Sequence, residues 1–202
     1  MTSNETITKT PKRGRPGNDR RDVITAAVEL FNQHGYEATT VGMIAERLGV
    51  SKSAIYHHVA SKEDLLASAL DRALSSLETV LAGQPAAEPI TARLEFVLRG
   101  TVHALVRELE SVTLLLRLRG NTELEREALA RRRRFDRAVA DLVRDADEAG
   151  ELRAEIDPKT ATRLVFGMVN SITEWYRPGG SLDADALGDL VVGLVFDGLR
   201  PR

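Results

Sequence analysis

The sequence predicts an all-α protein in two parts, a compact helical head at the N-terminus and a longer helical body behind it. Three observations predict it. Apolar residues recur at three- and four-residue spacing in one window after another. Ser, Thr, Asp and Gly stand where those windows open and close. No stretch of useful length alternates as a strand would, and no internal repeat appears. Composition agrees: of 202 residues, 43% are hydrophobic and 29% charged, with only seven Pro and fifteen Gly to interrupt helices.

The elements follow in order. Residues 1–18 are polar and basic and are expected to form a flexible arm. Asp19 is placed to cap a first helix running to about His34, with Ile24, Ala27, Leu30 and Phe31 on its apolar face. Gly35 suits a left-handed cap, and Tyr36 can fold back on the helix end. Thr40 caps a second helix, Val41 to Leu48, closed by Gly49. Ser51 caps a short third helix through His58, and Ser61 a fourth, with Glu63 and Asp64 in its first turn. The fourth helix reads through Leu77 and breaks at GQPAAEP.

Beyond that break the periodicity predicts helices from Thr91 to Glu108, Val112 to Leu118, and about Glu123 to Ala149, the last ended by Gly150. Asp157–Pro158 starts another that runs to about Tyr176, and a final helix covers about Asp183 to Leu199. The expected domains are the arm 1–18, a head 19–78 and a body 79–202.

Composition excludes several function classes. Without cysteine there is no disulfide, thiol nucleophile or thiolate metal site. The opening residues lack the apolar stretch of a secretory signal, and no run approaches the roughly 18 apolar residues a bilayer span needs. A cytoplasmic location is expected. No nucleophile–base pair, phosphate-cradling Gly loop or metal spacing points to an enzyme. His57 and His58 are adjacent on a helix, about 100° apart, and cannot chelate one ion from a common face. Charge is uneven: residues 1–62 carry nine Lys/Arg against six Asp/Glu, the remainder nineteen against twenty-four. A basic head on an acidic body fits contact with nucleic acid at one end.

The segment TTVGMIAERLGVSKSAIYHHVASK, Thr39 to Lys62, carries the most chemistry. Reading bases requires one helix in the major groove, held across another. Ala45 is small where two helices must cross, Gly49 permits the turn between them, and Val50 and Ile55 can pin the third helix to Ile44 and Leu48. Lys52, Ser53, Ala54, Tyr56, His57 and His58 then face outward as the reading surface, with Ser51 at the helix start.

This run resembles the DNA-reading segment of the TetR family of transcriptional regulators. The resemblance rests on Thr39–Thr40, Ile44–Ala45, Leu48 to Ser51, Ile55–Tyr56, His58 and Ser61–Lys62, and extends from Asp19 to about Leu74. It implies a helix-turn-helix DNA-binding domain followed by a helical effector-binding and dimerisation domain. It also implies that Lys52 and its neighbours read bases, while Thr40, Ser53, Tyr56, His58 and Lys62 hold phosphates. His57 departs from the usual aromatic at its position, leaving base preference there open. In the arm, Arg13 and Arg15 flank Gly14 as in an AT-hook, which fits a narrow A·T minor groove. Generic phosphate attraction by a basic tail is the plainer reading.

A palindromic operator is read by a two-fold homodimer. The candidate dimer surface is Leu187, Leu190, Val191, Leu194 and Val195 with Leu164 and Ile172, close approach being permitted by Gly167. The resemblance implies that the last two helices pair with their symmetry mates as a four-helix bundle; the same stripes also serve the chain's own core. Candidate effector residues are Arg99, Arg117, Phe135, Met168, Asn170, Glu174 and Trp175, chosen as cations, aromatics and polar groups among apolar ones. Arg131 to Arg134 cannot all share one solvent face, so at least one turns toward a neighbouring element or a pocket mouth. The stretch Ile156 to Gly180 is similar to TetR regulators that sense acyl-CoA thioesters. A repressor released by such an effector is therefore expected, with no cofactor. An uncharged hydrophobic ligand, no ligand at all, or a helical interaction protein with a vestigial DNA motif are the alternatives.

Overall fold

The computed structural model describes residues 19–153 and 157–199. Among them it contains nine α-helices and no strand: α1 Arg20–His34, α2 Val41–Leu48, α3 Lys52–Tyr56, α4 Lys62–Ala82, α5 Ile90–Arg107, α6 Leu109–Arg117, α7 Glu123–Glu148, α8 Pro158–Trp175 and α9 Ala184–Leu199.

The caps form as local chemistry dictates. Asp19 accepts from the amides of Arg21 and Asp22, and Asp22 returns a bond to the Asp19 amide, closing a capping box. Thr40, Ser51 and Ser61 accept from Met43, Ala54 and Asp64. Asp157 takes both the amide and the hydroxyl of Thr160, and the hydroxyl's hydrogen bond is the main reason its carboxyl sits below the usual carboxylate range. Gly49 ends α2 in the left-handed region at φ 67°, where a β-carbon would be strained. Gly35 has positive φ with an extended ψ, so α1 ends in a sharper exit than a left-handed cap. Tyr36 nevertheless folds back edge-on to Phe31, centroids 5.2 Å apart.

α4 ends at Ala82 with Gly83 as its cap, where the GQPAAEP break was expected. Two boundaries differ from expectation. α3 stops at Tyr56 instead of His58, because Val59 must turn into the core behind Ile55 and the chain must then reach the Ser61 cap. α6 starts at Leu109, separated from α5 only by a kink at Glu108 (φ −112°, ψ 33°), with no Gly or Pro to announce it.

α4 is the hub. It packs against α1 in the head and against α5, α6 and α7 in the body, and it buries Leu65, Leu66, Ala69, Leu70, Ala73, Leu74 and Leu77. α5 packs along α9, and α7 lies between α4 and α8. Arg131 bolts α7 to α4 by gripping Glu78 and Asp71. No helix among the described residues is long and apolar enough to cross a membrane.

Candidate nucleic-acid interface and effector cavity

The head's core is what aims its surface. Ile44, Ala45 and Ile55 are essentially fully buried, so α2 and α3 cross tightly about the Gly49 turn. Thr39 is wholly buried and donates to the carbonyls of Leu30 and Gly35, tying the start of α2 to the end of α1. Its neighbour Thr40 stays outside. Lys52, Ser53, Tyr56 and His57 are exposed on and just after α3, and Ala54 and His58 are half-buried. Tyr56 is 53% exposed, high for a residue that is two-thirds apolar ring. Gly42 brings the two helices' polar residues together: a β-carbon there would lie 2.8 Å from Lys52 Cε, and Lys52 Nζ lies beside the same point as the Thr40 hydroxyl.

Lys62 has a structural task that sequence reasoning missed. Its ammonium donates to the carbonyls of Tyr36 and Glu37 and sits 4.3 Å above the Tyr36 ring. It thus neutralises the carbonyl end of the α1 turn while remaining at the head's rim. Thr40 and Ser51 likewise already hold helix amides, so any phosphate they meet shares oxygens in use. Arg13 and Arg15 lie outside the described residues.

The expected effector residues are not brought together. Arg99 pairs with Asp189 and Glu95 at the α5–α9 seam. Arg117 donates to the carbonyl of Asn32 on α1. Met168 faces a groove between α8 and α9, and Glu174 and Trp175 are exposed at the end of α8. Of the seven, only Asn170 and Phe135 border the cavity system of the body. The cations chosen from sequence were claimed by partners far along the chain.

That system opens between α7 and α8 and reaches inward to α4, α5 and α6. Its outer groove, of ≈ 720 Å³, carries Arg137, Arg144, Lys159 and Arg163 with Asp157, over a floor of Ala140, Pro158, Thr162 and Gly167. Arg132, Asp136, Phe166 and Asn170 border both this groove and an inner chamber of ≈ 30 Å³. The chamber is walled by Leu77, Leu105, Leu115, Leu116, Phe135 and Val169 among others. Five Lys or Arg thus face two Asp. Asp136 sits among them, yet burial pushes its carboxyl above the usual carboxylate range, against the opposing pull of Arg132 and Arg137. The signal that could have found this site was the Arg131–Arg134 run: Arg131 turns to α4 and Arg132 into the cavity, while Arg133 and Arg134 stay in solvent.

The expected dimer stripes divide between inside and outside. Ile172, Leu187, Val191 and Val195 are buried in the protomer's own core, because α9 must cover α5. Leu164, Leu190 and Leu194 remain 70%, 51% and 68% exposed. Gly167 has no atom within 4 Å of the place where a β-carbon would stand; it opens onto the cavity and makes no close helix crossing within the protomer.

A helix-turn-helix head with a polar outward face, carried on a helical body through one long hub helix, is the architecture of a DNA-binding regulator. Comparison with known proteins gives the family. Residues 23–69 match the bacterial regulatory proteins of the tetR family, and residues 87–199 match the tetracyclin repressor-like C-terminal domain. The chain belongs to the TetR family of transcriptional regulators. It is similar to the HTH-type transcriptional repressor KstR2 of Mycobacterium tuberculosis, 26% identical over 92% of this chain and 95% of that protein. Among solved structures it is similar to SCO3833 of Streptomyces coelicolor, a TetR-family member, at 46% identity and a TM-score of 0.80, over 89% of this chain and 91% of that one. AibR in complex with isovaleryl coenzyme A and operator DNA shares the fold at 24% identity and a TM-score of 0.72, over 89% of this chain and 98% of that one.

Proposed function

We propose that this protein is a cytoplasmic homodimeric repressor of a palindromic operator, released by an acyl-CoA thioester bound in the α7–α8 cavity. The observation that carries the effector reading is the cavity's division of labour. A groove rich in Arg and Lys suits the phosphates of coenzyme A, and it shares Arg132, Asp136, Phe166 and Asn170 with an apolar chamber suited to an acyl group. AibR, which has the same fold, was crystallised with such a ligand. Exposed Leu164, Leu190 and Leu194 form an apolar face on α8 and α9 that suits a second copy of the chain.

The coupling runs through adjacent residues. Arg132 faces the cavity, and Arg131, one position away on α7, holds α4. α4 in turn begins at the Ser61 cap beside the reading helix and packs on α1. A ligand that draws Arg132 and Asp136 toward the groove rotates or slides α7, and α4 follows. The two recognition helices then lose the roughly 34 Å spacing of successive major grooves. Emptying a nearly full operator takes about 5 kcal/mol of differential binding between the two dimer geometries.

The test starts with selection of bound DNA from a random pool, which yields the palindrome. Fluorescence anisotropy on that operator then measures release by acyl-CoA thioesters, with the free fatty acids as the comparison. Release by thioesters, weakened in Arg163→Ala/Lys159→Ala, is the expected result. Release by free acids alone, or an operator complex indifferent to both, overturns the effector reading.

A further inference from the structure

The lining that groove and chamber share, called the neck below, is polar, and its polar groups do not hydrogen-bond one another. Arg132 and Asp136 form only a long ion pair, Nε to Oδ2 4.0 Å, beyond hydrogen-bond reach. Asn170 uses its backbone carbonyl to accept from Thr173, while its side-chain amide has no hydrogen-bond partner among the described residues. Three half-buried polar side chains, with Phe166, therefore line the groove and the chamber alike. Groups held this way lose affinity for a ligand that offers them only hydrocarbon, because their solvating water is displaced without replacement. Their combined demand is specific. Arg132 and the Asn170 amide donate, and the Asp136 carboxylate accepts. A hydroxyl group answers both; a carbonyl answers only the donors, and a second carboxylate is opposed by Asp136.

Size sets the second limit. The chamber beyond the neck measures ≈ 30 Å³, room for about two water-sized atoms. Its walls cannot give way cheaply: Leu105, Leu115 and Phe135 are all at most 3% exposed and close-packed. The groove outside is large enough for a bulky polar head.

Resting on the acyl-CoA reading above, we infer that the effector is a short-chain acyl thioester, about four carbons or fewer, bearing a hydroxyl close to the thioester, with Asp136 as the residue that reads it. The apolar chamber holds only the chain's end. Long saturated thioesters are excluded by volume, and short unsubstituted ones leave the neck unpaired.

Isothermal titration calorimetry on the full chain, with coenzyme A, butyryl-CoA, 3-hydroxybutyryl-CoA and palmitoyl-CoA as probes, tests this. The hydroxylated thioester is expected to bind roughly tenfold more tightly than butyryl-CoA, and palmitoyl-CoA more weakly than either. Asp136→Leu should bring the two four-carbon ligands within about twofold of each other, through weaker binding of the hydroxylated one. Asp136→Ala repeats the measurement should the larger side chain disturb folding. Tighter binding of palmitoyl-CoA, or a hydroxyl preference that survives both Asp136 variants, overturns the inference while leaving coenzyme A recognition standing. Failure of every coenzyme A derivative to bind overturns the acyl-CoA reading itself and this inference with it.

Discussion

Replacing Arg131 with Met removes the guanidinium that joins α7 to α4 while keeping most of its aliphatic length. Arg131 donates Nε to Glu78 Oε1 at 2.9 Å, Nη2 to Glu78 Oε2 at 2.7 Å and Nη1 to Asp71 Oδ1 at 3.0 Å. A two-pronged fork of this kind stands at the strong end of ion pairs. Its partners are open to water, however, with Glu78 and Asp71 side chains 45% and 64% exposed, against 22% for Arg131. Solvent screening therefore brings the expected loss down to about 1 kcal/mol at neutral pH. The pH dependence follows from Glu78. The hydrogen bond from Arg131 holds its carboxyl below the usual 4.5, so the pair's contribution is complete above that value and vanishes as pH falls through the lowered one. Urea unfolding at fixed protomer concentration, on wild type, Arg131→Met, Glu78→Gln and the double variant, gives the coupling energy directly. The gap between wild type and Arg131→Met should be constant from neutral pH down to mild acid and should shrink below 4.5. A coupling energy indistinguishable from zero at pH 7, or a gap undiminished in strong acid, refutes the reasoning.

Other perturbations separate the parts of the molecule. Ile55→Ala empties a side chain that is 0% exposed; it should cost roughly 2–5 kcal/mol, visible as a lowered thermal midpoint together with lost operator binding. Tyr56→Phe removes only an exposed hydroxyl, so operator affinity should fall while the melting temperature holds. Lys62→Met should lower both, because its ammonium also holds the carbonyls of Tyr36 and Glu37; an unchanged melt would remove its structural role. Leu164→Glu with Leu194→Glu places charge on the exposed apolar face of α8 and α9. Sedimentation velocity should then report a monomer with unchanged helical circular dichroism, and a persisting dimer would move the interface elsewhere.

What was legible in the sequence was local. Asp19, Thr40, Ser51, Ser61 and Asp157 were readable as caps because a cap is satisfied within three residues of itself. The reading head was legible for the same reason, being a run of 24 residues whose turn, crossing point and outward positions all lie within Thr39 to Lys62. The kink at Glu108 was not, since its backbone departs from helix without a breaker residue and both flanks keep helical periodicity. The exposed side of the dimer stripes was equally hidden. Leu190 and Val191 are neighbours in sequence, and only the packing of α9 on α5 sends one outward and the other inward.

The cavity shows most plainly why long-range chemistry escapes a sequence. Arg99 and Arg117 looked available in the sequence. Arg117 has no acid at helical spacing, and Arg99 has only Glu95 four residues before it, a single partner that leaves the rest of its guanidinium open. Their partners, Asp189 and the carbonyl of Asn32, lie 90 and 85 residues away and were invisible without the fold. The Arg131–Arg134 run was different, because the 100° step of a helix forbids four consecutive side chains from sharing one face. Geometry alone therefore required an inward-facing arginine in α7. It could not say that two would turn, one to grip α4 and the next to face α8. That adjacency puts the proposed effector contact and the hub helix one residue apart on a single rigid element. Arg131→Met should accordingly weaken not only the fold but also the effector's power to release operator, while direct effector affinity in calorimetry stays close to that of wild type. Release and binding falling together would place the loss in the cavity itself and break the proposed route through α4.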